Sequence, residues 1–180
     1  MNKRILFGLL ILVLFNFTSC CKVTSTEQSL EAINDIIPSD YKYISYSESS
    51  EISEILNSNP IDELYFKEWK DAITTADITN LHQKYLSIWQ SELDAVVEKI
   101  EKNLSDEELD DFQASQEAWE LFYKTNPNIA VDMYTSKMGV GSIVHEIYGN
   151  KAVKMIRYRT LELAEYCYLL TGEFEFIFKQ

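Results

Sequence analysis

Five Gly and three Pro in 180 residues leave few tight turns, which disfavours an all-β architecture. Two His, His82 and His145, are too few for most zinc sites, and no sequence pattern calls for another metal or a cofactor. Three Cys make no disulfide framework. Cations are scarce, with 16 Lys and Arg against 29 Asp and Glu. Nucleic-acid binders present basic faces, so that class of partner is excluded. No apolar run reaches the roughly 20 residues of a spanning helix.

The longest apolar run, Ile5 to Phe15, follows Lys3 and Arg4 and precedes Asn16-Phe17-Thr18-Ser19. A charged start, an apolar stretch and small residues before a cleavage point predict a signal peptide over residues 1–19. Phe17-Thr18-Ser19-Cys20 resembles a bacterial lipobox, with Phe17 where Leu is usual. The resemblance implies lipidation at Cys20. Two or more acyl chains there would anchor the chain stably, where one binds marginally. The expected location is the cell envelope, on the outer membrane facing the periplasm. Cleavage removes two cations and no acid, so the formal charge moves from −13 to −15. Such a charge suits solubility, or a basic protein partner drawn in by the field.

Residues 20–58 read as a tether and a poorly defined N-terminal segment. Pro38 ends a short helical stretch, and Tyr41, Tyr43 and Ile44–Tyr46 alternate weakly, as in a short strand. A helical domain is expected over 59–180. Asn59-Pro60 suits a helix start. From Asp77 to Asn103, Ile78, Leu81, Tyr85, Ile88, Val96 and Ile100 recur at spacings of three and four, which places them on one helix face. Ser105 and Glu108 form a capping box before the next helix, whose inner face carries Leu109, Phe112, Trp119 and Phe122. Asn126-Pro127 is expected to stop that helix and start another through Met138. Gly139–Ser142 and Gly149-Asn150 interrupt the pattern. A last helix then carries Val153, Ile156, Thr160, Leu163, Cys167 and Leu170, with Gly172 as its stop. Phe174 to Phe178 is a strand or a docked extension. The fold class is all-α, an irregular helical bundle.

From Asn80 to Leu170 the order of signals resembles the LprI-like lysozyme-inhibitor domain family. The matching residues are Leu81 with Tyr85, Gln116-Glu117-Ala118-Trp119, Gly139-Val140-Gly141-Ser142, and Arg159-Thr160-Leu161-Glu162-Leu163. Family members usually carry disulfide Cys after the Gln-x-x-Trp helix and inside the last helix. Here neither Tyr123–Pro127 nor Tyr148–Asn150 holds one, consistent with a single missing bridge. The Arg usual after Gln is Glu117. The resemblance implies a helical envelope domain, and a muramidase as one candidate target.

Gln116, Arg159 and Glu162 are the polar residues of these motifs. They read as a structural network locking two helices, because an Arg fork suits Gln and Glu acceptors. Gly139, Val140, Gly141 and Ser142 read as a tight connection or as a protruding partner loop. Glu107, Glu108, Asp110 and Asp111 sit in a first helical turn, where acids face solvent and the helix dipole, so no catalytic pair is assigned. His145-Glu146 lacks the second His of a zinc helix. The leading functional expectation is a non-enzymatic, lipid-anchored protein binder, with a basic muramidase as candidate partner. The alternatives are a cell-wall hydrolase, which needs two suitably spaced carboxyls in a cleft, and a structural envelope component without a soluble ligand.

Overall fold

The computed structural model describes residues 38, 41–139, 141 and 143–179. The expected signal peptide, the expected lipidation site Cys20, residues 22–37, Val140 and Ser142 lie outside these residues. Among the described residues five helices follow in order: α1 Ser50–Asn57, α2 Pro60–Trp69, α3 Thr75–Glu101, α4 Asp106–Met138 and α5 Ile143–Thr171. No strand occurs among the described residues, so the fold is the expected all-α bundle.

Helix starts follow from side-chain caps. Asn59 accepts from the Asp62 amide at 2.8 Å, with Pro60 in the first turn of α2. Thr74 accepts from the Asp77 amide at 3.1 Å and donates its own amide to the Asp77 carboxylate at 2.9 Å. This box starts α3 two residues before the expected Asp77. Glu108 accepts from the Ser105 amide at 2.9 Å and hydroxyl at 2.6 Å, opening α4. Gly172 adopts a left-handed φ of 78° and ends α5, its amide donating to the Tyr168 carbonyl at 2.8 Å.

The core lies chiefly along the seam of α3 and α5, which run parallel. Leu81, Tyr85, Trp89, Leu93, Val96 and Ile100 meet Val153, Ile156, Leu163 and Cys167 there. Burying one such side chain contributes about 1.5–3 kcal/mol over leaving it exposed. Leu170 is the exception in the expected stripe and is exposed. α4 runs antiparallel to α5 and packs against it.

Three expectations change. α5 does not break at Gly149: it is continuous from Ile143, and Gly149 serves close approach. A Cβ there would fall 2.9 Å from His82 Cβ and nearer still to the ring nitrogen, so only a glycine lets α5 come this close to α3. Nor does α4 stop at Pro127. Proline removes one backbone donor, the one that would reach the Tyr123 carbonyl, yet the helix runs on to Met138. Finally, residues 41–58 belong to the packed unit. Tyr41, Tyr43, Ile52 and Leu56 are buried, and Tyr41–Tyr46 forms no strand.

Two buried polar anchors hold that N-terminal segment. Arg157 Nε donates to both Asp62 oxygens at 2.8 Å, and its Nη2 donates to the Tyr41 carbonyl at 2.7 Å. Asn59 Nδ2 donates to Asp62 at 2.7 Å. Glu165 accepts from the Tyr43 hydroxyl at 2.9 Å, the Ser45 hydroxyl at 2.6 Å and the Ser47 amide at 2.6 Å. Burial alone would raise its pKa, but these donors outweigh it and hold the carboxyl below its ordinary value. At the far end Glu92 accepts the amides of Ile177 and Phe178, so residues 174–178 dock as an extension with Phe176 buried against Trp89.

Candidate functional site: two grooves beside one helix

α4 carries no side chain in the core cluster; Phe112, Trp119 and Tyr123 only pack against it. An open groove therefore runs along each of its flanks. Between α3 and α4 lies a groove of about 640 Å³ lined by Gln90, Leu93, Asp94, Val97, Glu101, Gln113, Gln116, Glu117, Trp119, Glu120, Tyr123 and Lys124. Four of these are carboxylates. Lys124 is paired with Glu120 at 3.0 Å. Asp106, Glu107, Glu108, Asp110 and Asp111 extend the exposed acidic face towards the start of α4. Ser105 donors hold the Glu108 carboxyl below its ordinary value, keeping it charged.

Between α4 and α5 lies a second groove of about 830 Å³. Its walls are Trp119, Phe122, Ala130 and Tyr134 on α4 and Ile147, Met155 and Tyr158 on α5, with Lys151, Lys154, Arg159 and Glu162 among the polar groups. Phe122, expected on the inner face of α4, is 53% exposed here. Trp119 is half-buried, lines both grooves, and stacks on Tyr123 at 5.0 Å between ring centres.

The strut between the grooves is the Arg159 guanidinium. Its Nε donates to Gln116 Oε1 at 2.8 Å, its Nη1 to Glu162 at 2.6 Å, and its Nη2 to Ser115 at 3.3 Å. Gln116, Arg159 and Glu162, picked from the motifs, thus meet at one point. The connection after α4 is placed at the end of the hairpin. Gly139 caps α4 with a left-handed φ of 62° and Gly141 is exposed.

The family model of the lysozyme inhibitor LprI matches residues 68–163, more than half of the chain. This chain belongs to the lysozyme inhibitor LprI family. No curated protein and no solved structure matches it. The LprI match spans α3, α4 and most of α5, and so contains both grooves and the Gln116–Arg159–Glu162 strut. It leaves out the Tyr41 and Tyr43 anchors and the docked tail. At the two places where the sequence resemblance implies a bridge in relatives, Tyr123 and Tyr148 stand close enough for Tyr148 to add to the upward push that burial gives the Tyr123 hydroxyl.

Other candidates sort away from the grooves. His145 is exposed. His82 is 1% exposed, both ring nitrogens lack a hydrogen-bond partner, and burial lowers its pKa. Cys167 is buried and burial pushes its thiol up, against the thiolate a nucleophile needs. No group of three His, Cys, Asp or Glu among the described residues could hold a metal ion. Likewise, no described helix is long and apolar enough to cross a membrane.

Motif reading did not find Asp62, Arg157, Glu165 or Glu92. The signal available was weak: charged residues interrupting apolar faces, with partners 85 or more positions distant.

Proposed function

We propose that this protein is a non-catalytic inhibitor of a lysozyme-type muramidase, held at the cell envelope by lipid on Cys20, and that the acidic groove between α3 and α4 receives the enzyme. The observation that carries this reading is the charge of that groove. Asp94, Glu101, Glu117 and Glu120 surround it, beside a backbone family named for lysozyme inhibition. A cationic enzyme would be steered to such a field, and an Arg or Lys entering the groove would find carboxylate acceptors. Trp119 and Tyr123 supply the aromatic floor that interface anchors favour. The rigid α4 wall, fixed to α5 by Arg159, presents these groups with little ordering cost on binding.

Charge alone would bind any basic protein, so selectivity decides. Binding to lysozyme should be compared with binding to an equally basic protein such as cytochrome c, over a range of salt. Association is expected to slow as salt shortens the Debye length below about 8 Å, while lysozyme stays the tighter partner throughout. Equal binding to both proteins at every salt would overturn the proposal.

A further inference from the structure

The groove on the other flank of α4 has the opposite electrostatic character. We infer that it is a binding site for a long-chain carboxylate, an amphiphile with one anionic head and an apolar tail. This inference is independent of muramidase binding, which was assigned to the acidic flank.

The volume, about 830 Å³, lies within the range of small-molecule sites. Its lining is mostly apolar: Trp119, Phe122, Ala130, Ile147 and Met155 offer a tail-sized surface between two helices. Phe122, Tyr134 and Tyr158 are partly exposed in its walls, so a tail lying there would cover apolar surface that the fold leaves open. Its available charge is positive. Lys151 and Lys154 sit one turn apart on α5, neighbours on the same helix face. Neither forms an ion pair among the described residues, although Lys154 Nζ also lies 5.3 Å from the Tyr41 ring centre. Arg159 is committed to Gln116 and Glu162, so a head would meet Lys151 first, with Lys154, which shares its charge with the Tyr41 ring, beside it.

In a chain with 29 acids and 16 bases, two cations without an ion pair beside an apolar groove select against cationic amphiphiles. The strong negative background and the nearby Glu162 favour a monoanion over a dianionic phosphate, since each added charge meets the same repulsion. Lysine ammonium groups act as point charges and ask no planar geometry of the head.

The test is calorimetric titration of the full chain with dodecanoate below its micelle concentration, beside dodecyltrimethylammonium, dodecyl phosphate and an acidic amphipathic helical peptide. Dodecanoate should bind saturably and more tightly than the other three. Reversing both lysines, Lys151→Glu with Lys154→Glu, should weaken it about tenfold. Ala130→Phe, which fills the groove without touching charge, should weaken it similarly and keeps the test alive if the double variant misfolds. Brominated dodecanoate should quench tryptophan fluorescence, and that quenching should fall sharply in Trp119→Phe. Unchanged binding in Ala130→Phe, or equal or tighter binding of the cation, the phosphate or the peptide, would overturn the inference.

Discussion

Arg159 donates to Gln116 across the α4–α5 interface at 2.8 Å and to Glu162 on its own helix at 2.6 Å. This one guanidinium ties α4, which contributes nothing to the core cluster, to α5, which shares the central seam of that cluster with α3. Removing it should loosen α4 before the rest of the fold. Arg159→Ala is expected to cost about 1–3 kcal/mol, because Gln116 loses a charged donor and the neighbouring groove lets water compensate only in part. Amide exchange in α4 should rise more than in α3. Uniform loss of protection in both helices would show that α4 does not open separately.

The Asp62–Arg157 pair is more deeply buried than the Arg159–Glu162 pair. Arg157→Met should destabilise by about 3–5 kcal/mol, since it strands a buried carboxylate. Adding Asp62→Asn should restore much of the loss. A urea melt of Arg157→Met within about 1 kcal/mol of the parent would show that this anchor does not hold the N-terminal segment.

Gly149 and His82 should couple in a double-mutant cycle. Gly149→Ala places a methyl against the His82 ring, an overpacking expected to cost about 1–3 kcal/mol. In a His82→Ala background the same change should cost much less. Additive losses would mean that the close approach of α5 to α3 has another cause.

His82 also gives the fold a signed pH dependence. Burial lowers its pKa below the ordinary 6.5. The unfolded chain therefore takes up a proton below about pH 6.5 that the folded chain refuses, and the native state loses stability as pH falls through that window. The stability difference between parent and His82→Leu should shift against the parent between pH 7.5 and 5. Glu165, held low, acts in the same direction below the ordinary glutamate value of 4.5. Glu92 is raised, chiefly by burial, and acts oppositely as pH rises above 4.5. A difference that does not change with pH would contradict the burial of a neutral His82.

α3, and α5 from Val153 onward, were legible because their stripes recur at spacings of three and four and their ends carry a cap or a left-handed glycine, whereas the first turns of α5 through Gly149 were not. Gln116, Arg159 and Glu162 were legible as motif residues, and the helices do bring them together. The run of α4 through Pro127 was not legible, because proline inside a helix removes only one backbone donor while the turns on either side keep theirs, and local pattern alone favours a stop there. Residues 41–58 read as a poorly defined segment because their burial depends on Arg157 and Glu165, more than 100 positions away from Tyr41 and Tyr43. Local spacing carries no record of such partners. The grooves were hidden for the same reason: Phe122 reads as core by periodicity, yet α5 does not cover it.

The central claim is tested most directly by muramidase activity titrated with this protein and with a variant neutralising Asp94, Glu101, Glu117 and Glu120 to their amides. All four line the groove, and none contributes to the buried core, so the variant should stay folded. The account predicts saturable inhibition by the parent that persists at moderate salt and falls by at least about tenfold in the variant. Full muramidase activity at saturating parent protein, or equal inhibition by the variant, would contradict it.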